Sequence, residues 1–426
     1  MTPTAATPRT QPGPGRLRRR ARFALAACAC AALVACGGGG SGSAGVGTGG
    51  TGSFAVGSIN GLGSIYVNGV RFDTRAATVT NPNAPAGAAV PTAANLQLGM
   101  TVEVRGEINA NTGTGTAATV VIASEFKGPI AAVNAGANTL TIFGRTVHVT
   151  PATIFIAAAG LAQLQPGNVV EVYGLPQPDG SLRATRIEFE AVSVAEFVRD
   201  YPNDRFHVEG LLTALAGTAP SRTFSVAGVP FNETPTTTVT GTLADNTEVT
   251  VSFAPIAGNP PFDAVAVRVE SRSFAAGVGL AEVEGVVTNW DSAAGTFTLQ
   301  GFPVRLGDGV VFEDGDRTNL IDGDRVEVYG NIVNGVLVAR EVEFEYEDHR
   351  SPFEFAGRAT CVATPCGNPS GSFTVRGITI EYDNTTRFVD GATRDNLNGL
   401  RVGVEARLVA GSNPNRFVAI RVASEE

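Results

Sequence analysis

The 426-residue sequence is poor in the residue types that most often carry chemistry. It contains three histidines, two methionines, one tryptophan and a single lysine, Lys127. No two histidines stand at the His-x-x-x-His spacing of helical zinc sites. His148 alternates with Val147 and Val149, His207 begins a strand-like segment, and His349 lies in a charged run. With no serine at a nucleophile elbow, Ser-His-Asp catalysis has no constellation to rest on. The glycine-rich stretch 37–52 lacks the Lys-Ser/Thr of a phosphate-binding loop. Residues 23–35 form an apolar run of thirteen residues, too short for a membrane-spanning helix.

That run has a context. Residues 1–22 carry six arginines and no acid, and Leu33-Val34-Ala35-Cys36 follows at the end of the apolar stretch. A positive region feeding a short apolar region and a small residue is the pattern of an export leader. It resembles a bacterial lipoprotein signal peptide (residues 1–35), which implies Cys36 as the lipidated first residue of the mature chain. An ordinary secretory leader or an uncleaved anchor is the alternative. Residues 36–54 read as a flexible Gly/Ser tether. Gly37, rather than an aspartate, follows Cys36, so lipid anchoring in the bacterial cell envelope is expected, outer membrane over inner.

From Cys36 onward the net charge falls from the whole-chain −9 to −15. Such a surface repels polyanions, so no nucleic-acid partner is expected. Abundant glycine, threonine, valine and alanine point to short strands and tight turns. Cys361 and Cys366, five positions apart, are expected to form a local disulfide outside the cytoplasm, with a metal pair as the alternative.

The chain from residue 55 repeats itself. Leading glycines recur at Gly57, Gly128, Gly210, Gly285 and Gly357, and inner glycines at Gly69, Gly144, Gly228, Gly301 and Gly377. Apolar residues alternate around each inner glycine, as in Leu140-Thr141-Ile142 and Val147-His148-Val149, predicting hairpins with one buried face. A Leu-x-x-Gly-x-x-Val-x-Val block and a closing alternating strand complete the unit. The units are 55–125, 126–190, 206–270 (divergent), 281–346 and 353–426. The fold class expected is all-β: tandem small β-barrels of five to six strands, partly open, with an OB-like form among the arrangements that fit, since curling removes most of the exposed edge. Sheets continuous between units are the alternative. Within the repeated unit no amphipathic helix is expected.

Gly128, Gly144, Leu164, Gly167, Val170, Glu171, Val172, Gly174, Ala184, Ile187 and Glu188 carry a motif that resembles the tandem DUF5666 domains of bacterial lipoproteins. Gly285, Gly301, Leu320, Gly323, Val326, Glu327, Val328, Gly330, Ala339, Val342 and Glu343 repeat it. The resemblance implies a small β-domain in a lipoprotein setting, and no activity.

Candidate sites are few. Asp308, Glu313, Asp314, Asp316, Asp322 and Asp324 could ligate Ca²⁺ with hard oxygens, or simply serve turns; no other cofactor is expected. Tyr173 and Tyr329 share one position and, with Trp290, could face a ligand or cap a barrel core. Glu171 and Glu327 read as solvent-facing. Repetition of scaffold without repetition of a reactive set favours a non-enzymatic binding or spacer scaffold. The membrane, through lipid on Cys36, and an envelope protein or glycan are its expected partners. A hydrolase or glycan-active enzyme with a site between repeats is the other reading.

Overall fold

The computed structural model describes residues 52–85, 87–109, 112–270, 274, 278–345, 353–363, 366–367, 369–409 and 415–425. The leader, Cys36, most of the tether and His349 lie outside the described residues.

Each unit is a closed five-stranded barrel. In the second, Phe126–Asn134 pairs with Thr139–Ile142, which pairs with Arg145–Ile156. The third strand then runs parallel to the fifth, Leu182–Ala191, the fifth pairs with the fourth, Val169–Pro176, and the fourth returns to the first. The same order, 1-2-3-5-4-1, closes the first, third, fourth and fifth barrels. This is the OB-type strand order; the first strand pairs with the fourth through one half and with the second through the other, so each half keeps one edge open outside the barrel.

The two sets of repeated glycines belong to one device. Every inner glycine is the second residue of a two-residue turn with both φ angles positive, for example Asn68 (φ 53) with Gly69 (φ 72) and Phe143 (φ 49) with Gly144 (φ 82). Positive φ at both positions defines the type I′ turn, whose twist matches that of a hairpin. The side chain of the first turn residue folds over the leading glycine. A Cβ on Gly128 would sit 2.1 Å from Phe143 Cζ, and one on Gly57 would sit 1.9 Å from Asn68 Oδ1. The leading glycine is therefore required by contact, and the inner one by conformation.

The barrels do not follow one another as beads. All strand pairings between barrels join first strands. Gly52–Leu62 runs parallel to Val278–Asp291 of the fourth barrel and to Phe353–Cys361 of the fifth. Phe126–Asn134 pairs antiparallel with Phe206–Ala216 of the third. Barrels and continuous sheets thus coexist: one sheet unites barrels one, four and five, another unites two and three. Barrel one also meets barrels two and three through side chains. Arg186 Nη1 donates to the Leu98 carbonyl at 2.8 Å, and Arg268 Nη2 to Asn83 Oδ1 at 3.2 Å. A solenoid restricts contacts to sequence neighbours; here the first barrel touches all four others.

Three apolar clusters result. One unites barrels one and five, one unites two and three, and one holds barrel four with Phe54 and Val56 of barrel one. The spacer after barrel two forms a short helix, Val194–Asp200, whose Ser193 hydroxyl accepts the Glu196 N–H at 3.2 Å. Phe197 anchors it in the second cluster, one buried residue being enough for two turns. Among the described residues no helix is long and apolar enough to cross a membrane.

Candidate binding site between the barrels

A strand of a closed barrel turns alternate side chains inward and outward. The outward rung just before each leading glycine carries charge in barrels two, three and four. Lys127 stands opposite Glu171 and Glu171 opposite Glu188 in barrel two. In barrel four the same rung reads Glu284, Glu327 and Glu343. Glu171 and Glu327 were expected to face solvent, but both are buried. The alternation is right and the conclusion fails, because a neighbouring barrel covers the outward face.

Around barrel four this arrangement lines a cavity of about 160 Å³. Ser58, Asn60 and Asn68 enter from barrel one, Arg183 from barrel two, and Glu284 and Arg325 from barrel four. Phe353, from barrel five, adds an aromatic wall. Glu284 is the junction's centre: its Oε2 accepts the Ser58 N–H at 3.2 Å, while its Oε1 accepts from Arg325 Nε at 2.9 Å. Burial works against the charge of Arg325, but Glu284 and Glu345 outweigh it and hold the guanidinium above its ordinary value. With Glu327 and Glu345 also in the lining, carboxylates outnumber guanidinium groups by three to two. Like charges on adjacent strands are costly, so the lining favours a ligand rich in hydrogen-bond donors.

The second buried charge group joins barrels two and three. Lys127 Nζ lies 2.9 Å from Glu171 Oε2 and 3.0 Å from Asp204 Oδ2. Burial opposes the ammonium, yet Glu171 and Asp204 raise its pKa above the ordinary lysine value. Burial likewise opposes ionisation of Glu171, and Lys127 with His207 overcomes it, so that carboxyl stays below its usual range. Glu190, at the edge of the group, is pushed up to about 7 by burial. His207 is fully enclosed and pushed down to about 4 by burial; its Nε2 is 2.9 Å from the Ser124 hydroxyl.

The sequence candidates fare unevenly. Cys361 and Cys366 form a disulfide with a Cα–Cα distance of 5.3 Å. Of the acidic calcium candidates, Glu313 gathers with Glu341 and Glu343, their carboxylate oxygens within 4.8 Å of one another. The others serve the backbone or stand apart. Asp316 accepts the Thr318 N–H at 2.8 Å, Asp322 the Trp290 N–H at 2.8 Å, and Asp324 the Ile321 N–H at 2.9 Å. Asp314 occupies a positive-φ turn position, and Asp308 joins neither group. Tyr173 is buried in the cluster shared with barrel one. Trp290 packs edge-on against Phe297 at 5.8 Å, and Tyr329 is half-buried. Sequence reasoning missed Glu284, Arg325 and Asp204. The signal available was the charge at period two in Glu282-Val283-Glu284; what covers it cannot be read from the chain.

Family models give the repeats a name. The model described as "Domain of unknown function (DUF5666)" matches residues 55–120, 127–188, 284–343 and 366–423. The chain belongs to the DUF5666 family. The matched segments fall in barrels one, two, four and five, so the DUF5666 domain is here an OB-type barrel, and barrel three is a fifth copy that the model does not reach. No curated protein matches the chain. Among solved structures, "drosophila Unr CSD456" matches over 51% of this chain and 96% of its own, at 14% identity and a TM-score of 0.14.

Proposed function

We propose that this DUF5666 protein is an exported, lipid-anchored envelope protein that acts as a non-enzymatic binding scaffold. The carrying observation is the cavity where barrels one, two, four and five meet, lined by Ser58, Glu284 and Arg325. Four barrels converge on it, and a cleft between modules is a common place for ligand recognition. Clustering of the other barrels around barrel one supports binding over a simple spacer, since it shortens the reach of the chain. The anchor is Cys36, preceded by Ala35 and followed by the glycine tract, with the outer membrane favoured by Gly37. Several acyl chains at one cysteine hold firmly where one alone is marginal.

Two experiments test the reading. Cys36→Ala abolishes lipid labelling and releases the protein from membranes; unchanged labelling refutes the anchor. Crosslinking in intact cells captures an envelope protein or glycan in a manner reduced by Glu284→Gln; capture indifferent to that change refutes the cavity as the binding place. A glycan-active enzyme is the second reading, favoured by Glu284, Glu327 and Glu345 in one cavity. Turnover of an envelope glycan by the purified protein, abolished by Glu327→Gln, would establish it in place of the scaffold.

A further inference from the structure

The chain uses arginine for every strongly basic position except one. Lys127 is that exception, and it is enclosed: its side chain is 9% exposed, that of Glu171 8% and that of Asp204 7%. An arginine binds carboxylates at least as well, but it does not give up its proton. What a lysine adds is an amine that becomes a nucleophile once deprotonated. Its two contacts supply the other requirements. Glu171 Oε2, at 2.9 Å, can receive the proton. Asp204 Oδ2, at 3.0 Å, places the carboxyl carbon one bond beyond a direct hydrogen bond. The remaining oxygen, Asp204 Oδ1, accepts the Arg205 N–H at 2.7 Å, a donor suited to an oxygen gaining negative charge.

We propose that Lys127 and Asp204 join in an intramolecular amide, with Glu171 as the proton carrier. The Lys127 ammonium passes one proton to Asp204 Oδ2, its hydrogen-bond acceptor at 3.0 Å, and the freed lone pair attacks Cγ of the now neutral carboxyl, forming the C–N bond. Charge collects on Oδ1 against the Arg205 N–H. Glu171 Oε2 takes one proton from the nitrogen and delivers it to the Oδ2 hydroxyl; the Cγ–Oδ2 bond breaks and Oδ2 departs as water. One ammonium and one carboxylate become one amide and one water, so charge and atoms balance with no oxidant or cofactor. Glu171 returns to its carboxylate and accepts the new amide N–H. The two carboxylates that enclose the amine also hold it charged, so the first proton transfer governs the rate.

The bond has a mechanical consequence that does not depend on the scaffold reading. Asp204 lies one residue before the end of the spacer between barrels two and three, and Lys127 sits on the first strand of barrel two. Strand pairing between these barrels consists of two rungs, His207 with Lys127 and Val208 with Phe126. The amide would fasten the spacer beside that short seam.

Tryptic peptide mass spectrometry of the full chain isolated from cells tests the proposal. Cleavage at Lys127 is expected to be blocked. Residues 106–145 and 200–205 are expected as one linked species, lighter than their sum by the mass of one water. Glu171→Gln, shown folded by circular dichroism, is expected to leave the two peptides separate and cleavage at Lys127 intact. Separate peptides of full mass from the folded wild-type chain overturn the proposal, whether or not any variant folds. A link that persists in Glu171→Gln overturns the proton-carrier role.

Discussion

Single residues explain both kinds of repeated glycine. The leading glycine makes room for the turn residue above it, so an added methyl should cost in proportion to the overlap. Gly128→Ala drives Cβ into the Phe143 ring at 2.1 Å, whereas Gly357→Ala meets Val375 Cγ1 at 3.1 Å. Overpacking costs about 1–3 kcal/mol. Denaturant titration should place Gly128→Ala near the top of that range and Gly357→Ala near or below its foot. Buried His207 and half-buried Glu190 give a pH signature. His207 is lowered to about 4 from 6.5, so its contribution is present above 6.5 and lost as pH falls through 4. Glu190 is raised to about 7 from 4.5, so its contribution is present below 4.5 and lost as pH rises through 7. Between about pH 4.5 and 6.5 the two slopes oppose each other. Stability of the wild type should be nearly flat there as far as this pair governs it. Glu190→Gln should unmask the histidine, losing on the order of 2–3 kcal/mol as pH falls from 6.5 to 4; an unchanged profile would refute the pairing.

At the scale of elements, the junctions hold the informative interactions. Arg186, on the fifth strand of barrel two, is 2% exposed and reaches Leu98 O and Gln97 Oε1 of barrel one. Its Nε also pairs with Glu188. Breaking a buried pair from one side strands the other charge and costs about 3–5 kcal/mol. Glu188 is partly solvated, so Arg186→Met should fall near about 3 kcal/mol by chemical denaturation. The disulfide belongs to a different class. It closes a loop spanning five positions in barrel five, and chain entropy assigns so short a loop about 2 kcal/mol. Replacing both cysteines by serine should lower stability by about that amount, measured by denaturant midpoint.

For the whole molecule, the first barrel is the hub, and the question is whether five barrels unfold together. Trp290 is the only tryptophan and lies in barrel four. If the first-strand pairings couple the barrels, the Arg186→Met change at the barrel one–two junction should shift the Trp290 fluorescence transition. A shift seen by circular dichroism but not at Trp290 would show that barrel four unfolds alone. Much of this architecture was legible beforehand. Alternation around Leu140–Ile142 and Val147–Val149 is a local consequence of period-two geometry, and the paired glycines mark the turns. The strands, the barrel class and the Cys361–Cys366 pair therefore follow from short-range rules. The site was not legible for the opposite reason. Glu284 meets Ser58 of another barrel across 226 positions and Arg325 across 41, and Lys127 meets Asp204 across 77. The sequence alone determined five barrels, because each closes through its own alternating strands. Only the tertiary structure decided that barrel one binds barrels four and five rather than its successor alone. That choice buries the outward faces carrying Glu171 and Glu327, turning residues that read as solvent-facing into the charged seams of the molecule.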